Sequence, residues 1–388
     1  KIKRFQLKKE VESGEIAAET KEIKAWEMAS DDTALMTSKT AGPVIAAIKQ
    51  NAKDVDTIHP KMNLEIDLGL DSLARAETFA ALEQAFGTEF ETDEASQALT
   101  VSNVIELVNS HVGEDAESVS VDLNWGKIIR EADDDFPELR SVLANRWFFA
   151  AFAFTLYKCF WLIFKVFLRL EVKGLKELNE MKQPFLVCPN HQSFLDPFVL
   201  CSNYNFALFK NVFHVGASEF FVNKLMQFIA RMLNVVPVNP DTELMRAMKI
   251  SAIGLKHGKV LNIYPEGERA FDGELHGFKK GAAILATELD LPIFPVAMDG
   301  LYKVWARNSW KIRPAKVKIT IGKPFFARDV LKDEGGKMKA EAMPASSSSL
   351  DSSLIPHSSS LVGGDGDYEL VTAHLKQIIS DMIDEMRK

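Results

Sequence analysis

The stretch FLVCPNHQSFLDP, residues 185–197, decides the fold of the larger part of the chain. Its first four residues are apolar, as in a buried strand, and Asn190 and His191 follow after one proline. Asp196 and Pro197 are residue types that favour the start of a helix. A strand that passes through a polar turn into a helix is the repeating unit of an α/β domain.

Five further apolar runs on the C-terminal side continue this pattern. They alternate with helical stretches, which is typical of an α/β domain with a mixed sheet and flanking helices. We therefore predict such a domain over residues 171–330. The predicted strands after the first are VFHVGA (212–217), NVVPV (234–238), VLNIY (260–264), IFPVAM (293–298) and VKITIG (317–322).

Residues 40–112 have the pattern of a small all-α domain of four helices. Between residues 64 and 98 the one basic residue is Arg75, so this domain is strongly acidic. An acidic domain beside a more basic one suggests that the two dock on each other. The clearest predicted helices, with apolar residues three or four apart, are Val44–Lys53, Ser72–Phe86 and Val101–Val108.

The other segments are assigned by their composition. The stretch 331–367 is rich in Ser and Gly and too polar to bury a core, so we predict a disordered insertion. The remaining predictions are a tail or linker over 1–38, an acidic linker over 113–145 with a short helix around Ile128, a membrane-associated helix over 146–170 and an amphipathic helix over 368–388.

Charge and cysteine content narrow the functional classes. A formal net charge of -8 argues against a nucleic-acid partner. Cys159, Cys188 and Cys201 have no metal-ligand spacing, which favours a reducing compartment and no bound metal. The polar N-terminal residues lack the pattern of a signal peptide. We therefore expect a location on the cytoplasmic side of a membrane.

The sequence Asp67-Leu-Gly-Leu-Asp-Ser72-Leu73 opens the second predicted helix and resembles the attachment site of acyl carrier proteins. The resemblance covers about residues 42–112. It implies that Ser72 carries a covalent 4′-phosphopantetheine arm, added by a phosphopantetheinyl transferase. A phosphate ester is favoured at a helix N-terminus by free N–H groups and the helix dipole. The alternative is that Ser72 only caps its helix.

Four motifs in the C-terminal half occur in the order found in glycerolipid acyltransferases. The first is H-x4-D, formed by His191 and Asp196. Together the motifs make residues 145–330 resemble that family, which includes 1-acylglycerol-3-phosphate acyltransferases. The other three are Tyr264-Pro265-Glu266-Gly267-Glu268-Arg269, Phe278-Lys279-Lys280-Gly281 and Leu291-Pro292-Ile293-Phe294-Pro295-Val296.

The resemblance assigns a role to each motif. It makes His191 the general base and Asp196 the carboxylate that orients it, which agrees with the chemistry of alcohol activation. Residues five apart lie roughly 140° apart on a helix, so this pair meets only if His191 precedes the helix. The resemblance further implies acceptor binding by Glu266, Gly267, Arg269 and Lys279, and an acyl-donor site shaped by the segment that contains Pro292 and Pro295.

Simpler interpretations stay open for the same residues: a buried structural His191, a surface salt bridge for Arg269, and a plain core strand for 291–296. The chain also departs from the family pattern, because Asn239-Pro240-Asp241 lacks the arginine usual there. One fewer cation weakens binding of a dianionic phosphate. We therefore expect a lysophospholipid acceptor with a singly charged headgroup, then lysophosphatidic acid, rather than glycerol 3-phosphate.

Residues 147–168 form the most apolar segment of the chain. On a helix Lys158, Lys165 and Arg169 fall within roughly ±20° of one another, a stripe that suits an anionic membrane surface. A spanning helix would put the carrier and the acyltransferase on opposite sides of the membrane. We therefore predict that this helix lies in the interface of one leaflet, on the cytoplasmic face.

The first five residues, Lys1-Ile2-Lys3-Arg4-Phe5, resemble the C-terminal end of adenylate-forming acyl ligases, which implies an upstream ligase as a partner. The whole pattern predicts an O-acyltransferase of phospholipid synthesis or remodelling. It would move a fatty acyl group from a thioester, on acyl carrier protein or CoA, to a lysophospholipid or glycerol phosphate hydroxyl. The alternative is a non-catalytic carrier module that tethers a ligase to the membrane.

Overall fold

The computed structural model describes residues 30–52, 57–70, 72–112, 124–133, 135–144, 146–216, 223–238, 243–307, 309, 311–332 and 364–388. The ligase-like start, Asp71, the Asn239-Pro240-Asp241 stretch and most of the predicted disordered insertion lie outside the described residues, as do the side chains of Ser72 and Leu73.

The N-terminal domain is a bundle of helices around one apolar core, as predicted. Its helices are α1 Ser30–Met36, α2 Ala41–Asn51, α3 Ser72–Phe86, α4 Thr92–Gln97 and α5 Val101–Val112. Val44, Leu82 and Ile105 are completely buried between them. The structure departs from the predicted tail over 1–38, because Leu35 and Met36 of α1 pack against this core.

The C-terminal domain is built on a mixed β-sheet. Its strands are β1 Glu171–Lys173, β2 Leu186–Pro189, β3 Val212–Gly216, β4 Val235–Pro237, β5 Val260–Asn262, β6 Pro292–Asp299, β7 Lys318–Ile321 and β8 Phe325–Phe326. The spatial order is β1-β7-β6-β2-β5-β3-β4, with β8 beside β6. Strands β2 to β6 run parallel, whereas β7 and β8 pair antiparallel to β6. The sequence does not predict β1 and β8, since two or three residues are too few to show alternation.

Helices cover both faces of this sheet and bury a separate apolar core on each. One face carries α6, α7, α13, α14 and α16, and the other carries α8 to α12 and α15. Their bounds are α6 Trp125–Glu131, α7 Pro137–Leu143, α8 Trp147–Phe167, α9 Leu175–Glu180, α10 Asp196–Ser202, α11 Phe206–Phe209, α12 Lys224–Met232, α13 Leu244–Lys256, α14 Gly281–Glu288, α15 Leu301–Val304 and α16 Asp365–Arg387.

Two predicted boundaries of the acyltransferase part differ from the structure. The stretch assigned as an acidic linker over 113–145 contains α6 and α7, whose Ile129 and Leu139 are buried in the core. The domain predicted to end at residue 330 also includes α16, which packs against β6 and α14 with Val371 and Leu375 fully buried. Short helices need few apolar positions, and their acidic neighbours conceal the periodicity.

Helix α8 lies along the face of the domain and is largely exposed. In the part of the chain that the structure describes, it is the one helix long and apolar enough to cross a membrane by length and composition. Its buried residues are Ala153 and Tyr157. The large apolar side chains that it exposes are Trp147, Phe148, Phe152, Leu162, Ile163, Val166 and Phe167.

The predicted basic stripe of α8 is wrong. The ammonium of Lys158 turns into the protein and donates to the carbonyl oxygens of Ser202 and Tyr204, at 2.9 and 3.0 Å. Lys165 lies over the ring of Trp161, and Arg169 lies beyond the end of the helix with a positive φ of 46°. Helical spacing alone cannot reveal that one lysine caps carbonyls of a neighbouring loop.

Candidate active site

The predicted site residues gather at the edge of the sheet where the parallel strands end. His191 follows β2 in the turn before α10, and Asp196 is the first residue of that helix. The motif that contains Glu266 and Arg269 follows β5, the neighbour of β2. Parallel strands bring their carboxyl ends to one edge, so motifs distant in sequence meet there.

His191 and Asp196 are in direct contact. The imidazole Nδ1 and the carboxylate Oδ2 are 2.8 Å apart, because the turn places the imidazole ahead of the helix rather than on it. Asp196 is fully buried, and the same Oδ2 accepts hydrogen bonds from the backbone N–H of Gln192 and Ser193 at 2.6 and 2.9 Å. These donors and the helix N-terminus fix the carboxylate and stabilise its negative charge.

The contacts of the His191 ring leave its second nitrogen, Nε2, available for proton transfer. The ring stacks on Tyr264, with ring centroids 4.1 Å apart and planes 27° apart. Its side chain remains 19% exposed, while Asp196 is closed off from solvent. Because Asp196 accepts from Nδ1–H, the neutral imidazole has its lone pair on Nε2, which has no hydrogen-bond partner within the described residues.

Glu266 holds the His191 turn in place rather than projecting towards a ligand. One carboxylate oxygen accepts from the backbone N–H of His191 at 2.7 Å, and the other accepts from the N–H of His276 at 3.0 Å. Burial raises the pKa of Glu266, and these two hydrogen bonds oppose the rise. Ala270 N–H donates to the His191 carbonyl at 2.8 Å, which closes the link between the two motifs. The predicted acceptor-binding residue is therefore placed as a positioning residue.

Gly267 and Lys279 are packed together in the loop after β5. Gly267 has a φ of +73°, which favours glycine, and a Cβ there would lie 2.6 Å from Cε of Lys279. The backbone N–H of Lys279 donates to the Pro265 carbonyl at 2.7 Å. The backbone conformation thus favours glycine, and a larger residue would also displace the lysine side chain.

Arg269 and Arg307 form a pair of neighbouring guanidinium groups. Arg269 is half-buried, with Cζ 5.8 Å from the ring centroid of Phe194. Burial lowers the pKa of Arg269 most, the nearby Arg307 lowers it further, and Asp196 opposes both. Arg307 donates to the Arg269 carbonyl at 2.9 Å and to Glu268 at 2.6 Å. Arg269 has no ion pair with a carboxylate in the described part of the chain. This does not agree with the alternative interpretation of Arg269 as part of a surface salt bridge.

The other predicted residues lie away from this group or outside the description. Pro292 and Pro295 are buried within β6, where they have the position of core residues in a central strand. Ser72 is the first residue of α3, and no acidic residue occurs in the first turn of that helix. Its side chain and Asp71 lie outside the described residues.

The acidic N-terminal domain contacts the C-terminal domain through α3 and the loop after it. A cleft of about 1160 Å³ separates this surface from α6, the loop after α6, and α13. Glu83 of α3 faces Lys249 and Glu243: burial raises the pKa of Glu83, Lys249 opposes the rise and Glu243 adds to it. Since β4 leads into α13, the N-terminal end of α13 starts at the sheet edge that carries His191.

Comparison with known proteins assigns both parts. Residues 169–299 match the acyltransferase family model, and residues 43–108 match the model of the phosphopantetheine attachment site. The chain contains an acyltransferase-family domain. The all-α domain before it is of the phosphopantetheine-attachment type, and α8 lies between the two matched segments.

The relatives bear the name 1-acyl-sn-glycerol-3-phosphate acyltransferase. A chloroplast 1-acyl-sn-glycerol-3-phosphate acyltransferase of Brassica napus is 31% identical over 186 residues, which are 46% of this chain and 52% of the relative. The Saccharomyces cerevisiae protein of that name is 28% identical over 191 residues, which are 46% of this chain and 60% of the relative. The chain spans about half the length of the first of these relatives. The Thermotoga maritima 1-acyl-sn-glycerophosphate acyltransferase structure covers 63% of this chain and 85% of its own, with a TM-score of 0.43 and 19% identity.

Proposed function

We propose that the acyltransferase-family domain transfers a fatty acyl group from a phosphopantetheine thioester to the hydroxyl group of a membrane glycerolipid. The observation that carries this proposal is the 2.8 Å contact between His191 Nδ1 and the buried Asp196, which leaves Nε2 to accept a proton. A lone buried histidine would not need a carboxylate held by two backbone amides.

The reaction requires one proton to move from the acceptor to the leaving thiol. His191 Nε2 removes the hydroxyl proton as the acceptor oxygen forms the new C–O bond to the acyl carbon. Asp196 stabilises the imidazolium that results. The same imidazolium then protonates the sulfur as the C–S bond breaks, which yields an ester and a free thiol. Arg269 and Arg307 are neighbours, and Lys279 packs on Gly267 in the same loop, so these three cations are the candidates to bind an acceptor phosphate.

Ser72 fits the attachment of the phosphopantetheine arm. It starts a helix of 15 residues with no acidic side chain in the first turn, so the phosphate would meet the free backbone N–H groups of that turn. The arm supplies the thioester that the acceptor attacks. Contact between α3 and α13 favours this chain's own carrier domain over free CoA as the donor, because a tethered donor has a high effective concentration.

The acceptor favoured by the site is a lysophospholipid with a phosphomonoester headgroup. The sequence predicted a singly charged headgroup because one arginine is absent from 239–241, but Arg307 supplies a second guanidinium beside Arg269. Two adjacent cations suit a dianionic phosphate. The names of the relatives, which are 1-acyl-sn-glycerol-3-phosphate acyltransferases, point to the same acceptor. Lysophospholipids with phosphodiester headgroups are the second candidate acceptors.

The test is turnover of acyl-loaded protein with lysophosphatidic acid, compared between the wild type and His191→Ala. We expect a loss of about 10²–10⁴ in turnover, since removal of a general base costs this much. Equal thermal unfolding of the two proteins is the control for folding. Wild-type activity in the variant would exclude His191 as the base. No turnover in either protein, with any donor or acceptor, would favour the non-catalytic tether.

A further inference from the structure

A second polar cavity, of about 240 Å³, lies where α8 begins and α12 ends. Arg146 and Trp147 form its wall at the start of α8, and Arg231 at the end of α12. Its other walls come from the ends of α7 and α11 and from the turns before β3, β4 and β5. We call it the basic cavity. Its polar and charged lining residues include Arg146, Lys210, Asn211, Arg231, Asn234 and Lys259.

The basic cavity is distinct from the candidate active site. Lys210 and Lys259 precede β3 and β5, so they lie at the amino ends of parallel strands. His191 and Arg269 follow β2 and β5, so they lie at the carboxyl ends. The two sites are therefore on opposite edges of the sheet, and a ligand of the basic cavity is not the acceptor in the active site.

The charge in the basic cavity is unbalanced. It gathers four cations, Arg146, Lys210, Arg231 and Lys259, and no carboxylate is among its lining residues. None of the four forms an ion pair with a carboxylate in the described part of the chain, although the protein carries a net charge of -8. Burial and the proximity of Lys210 both lower the pKa of Lys259. Like charges held together in this way are stabilised by an anion.

The surface next to the basic cavity is apolar. On the first two turns of α8, Trp147, Phe148 and Phe152 are 52%, 83% and 57% exposed. On α12, Leu225 and Phe228 are also exposed. A basic recess beside exposed aromatic side chains matches a molecule with an anionic head and apolar chains. A soluble anion would make no use of the aromatic surface.

We propose that the basic cavity binds the phosphate group of an anionic membrane phospholipid, which anchors the start of α8 to the bilayer without serving as substrate. The proposal requires that α8 attaches to a membrane. It does not depend on the acyl-transfer chemistry. A volume of about 240 Å³ has room for the phosphate and part of the glycerol, while the acyl chains would leave the cavity past Trp147, which lines it and is 52% exposed.

The test compares Lys210→Gln/Arg231→Gln with Lys176→Gln/Lys182→Gln. All four side chains are exposed, and both double variants lower the net charge by two. Binding is measured by flotation with vesicles of phosphatidylcholine alone and of phosphatidylcholine mixed with phosphatidylglycerol. We expect the cavity variant to lose about thirty-fold in affinity for the mixed vesicles, at about tenfold per 1.4 kcal/mol and ~1 kcal/mol per basic residue. Neutral vesicles should bind both variants equally.

Equal losses in the two variants, or no loss in the cavity variant, would overturn the proposal, because either result makes the cavity no different from the rest of the surface. A second measurement identifies the source of the phosphate. Soluble short-chain phosphatidylglycerol should raise the thermal unfolding temperature of the wild type and not of the cavity variant. An equal rise with inorganic phosphate would overturn the lipid assignment. His191→Ala should bind vesicles like the wild type, so failure of the acyl-transfer proposal is separately visible.

Discussion

Arg307 lies in the loop after α15, where no motif marks it. Its side chain reaches back to Glu268 and the carbonyl of Arg269, so a residue far along the chain completes the group of cations in the site. Sequence spacing could not predict this contact, because it depends on how two loops fold over one sheet edge. The contact between His191 and Asp196 was predictable, since the two residues are five positions apart in one short motif.

Substitution of Arg307 by Gln tests whether this side chain recognises the acceptor phosphate. We expect the KM for lysophosphatidic acid to rise by about tenfold to a hundredfold, which corresponds to one charge-assisted hydrogen bond of ~1.5–3 kcal/mol. The kcat should change little, and lysophosphatidylethanolamine should be affected less than the monoester. Arg313→Gln removes an exposed arginine nearby and serves as the control. A fall in kcat with an unchanged KM would instead assign Arg307 to positioning the loop.

His214 in β3 gives the domain a predictable sensitivity to acid. It is buried, its Nδ1 donates to the Leu233 carbonyl at 2.8 Å, and its Nε2 accepts from the amide of Asn262 at 2.8 Å. Burial lowers its pKa to about 4, and the hydrogen bond to Leu233 opposes the fall. The unfolded chain binds a proton below about pH 6.5, whereas the folded one stays neutral until about pH 4.

The free energy of unfolding should therefore be fully retained above pH 6.5 and decline as the pH falls towards 4. The difference between the two pKa values corresponds to about 3 kcal/mol over this window. Chemical unfolding at several pH values should show a flatter dependence in His214→Gln than in the wild type. His374→Gln removes an exposed imidazole and should keep the wild-type dependence. Parallel curves for all three proteins would show that His214 does not cause the acid sensitivity.

Among the secondary-structure elements, those with long apolar runs were predictable and the short ones were not. All six predicted strands occur, because each is composed mostly of apolar or β-branched residues. The sequence predicts a short helix around Ile128, which is α6, but it does not predict α7 or the packing of Trp125, Ile128 and Val142 into the core. Each of these two helices has seven residues, and acidic neighbours outnumber the apolar positions that packing selects. Tertiary contacts, rather than local propensity, decide such elements.

Helix α8 is held against its domain along its length, which favours attachment to one leaflet over spanning. Phe154 contacts Phe206 and Phe209, and Trp161 donates to the amide oxygen of Asn203 at 3.0 Å. A spanning α8 would carry these loops and their polar groups into the bilayer core, where they would lose their hydrogen bonds with water. The exposed aromatic side chains on the opposite side are the expected contact with lipid.

Phe148→Ser and Phe152→Ser should each weaken binding to vesicles without destabilising the fold. Both side chains are more than half exposed, at 83% and 57%, so they contribute little to the core. Transfer of a phenylalanine side chain into an apolar environment contributes ~1.5–3 kcal/mol, so we expect about tenfold weaker partitioning or more. Ile312→Ser, at a residue 53% exposed in a loop, is the control. Unchanged partitioning of both phenylalanine variants would place the membrane contact elsewhere.

At the scale of the whole molecule, the two domains contact each other through α3 and α13. The sequence predicted docking from the contrast between an acidic and a more basic part, but not which surfaces meet. The contact uses Glu83 and the loop after α3, at the opposite end of this helix from Ser72. None of the described residues around Ser72 lines the cleft. The N-terminal end of α3, where Ser72 lies, is therefore outside the cleft.

Lys249→Glu is the substitution that tests whether this contact serves acyl delivery. It places a carboxylate opposite Glu83, whose burial already raises its pKa and makes a further negative charge costly. We expect transfer from the acylated carrier of the same chain to fall several-fold, in line with ~1–2 kcal/mol for one reversed contact at a partly exposed interface. Transfer from added acyl-CoA should stay at the wild-type rate, because CoA does not use this surface.

Lys176→Glu makes the same change of charge on exposed α9 and should leave both rates unaltered. A single-turnover assay with acyl-loaded protein separates delivery from product release, and small-angle scattering reports whether the carrier domain has moved away. An equal fall with both donors would mean that Lys249 supports the fold of α13 rather than docking. A faster transfer from the carrier would mean that the contact with α13 stores the carrier away from His191, and that release from this surface precedes acyl transfer.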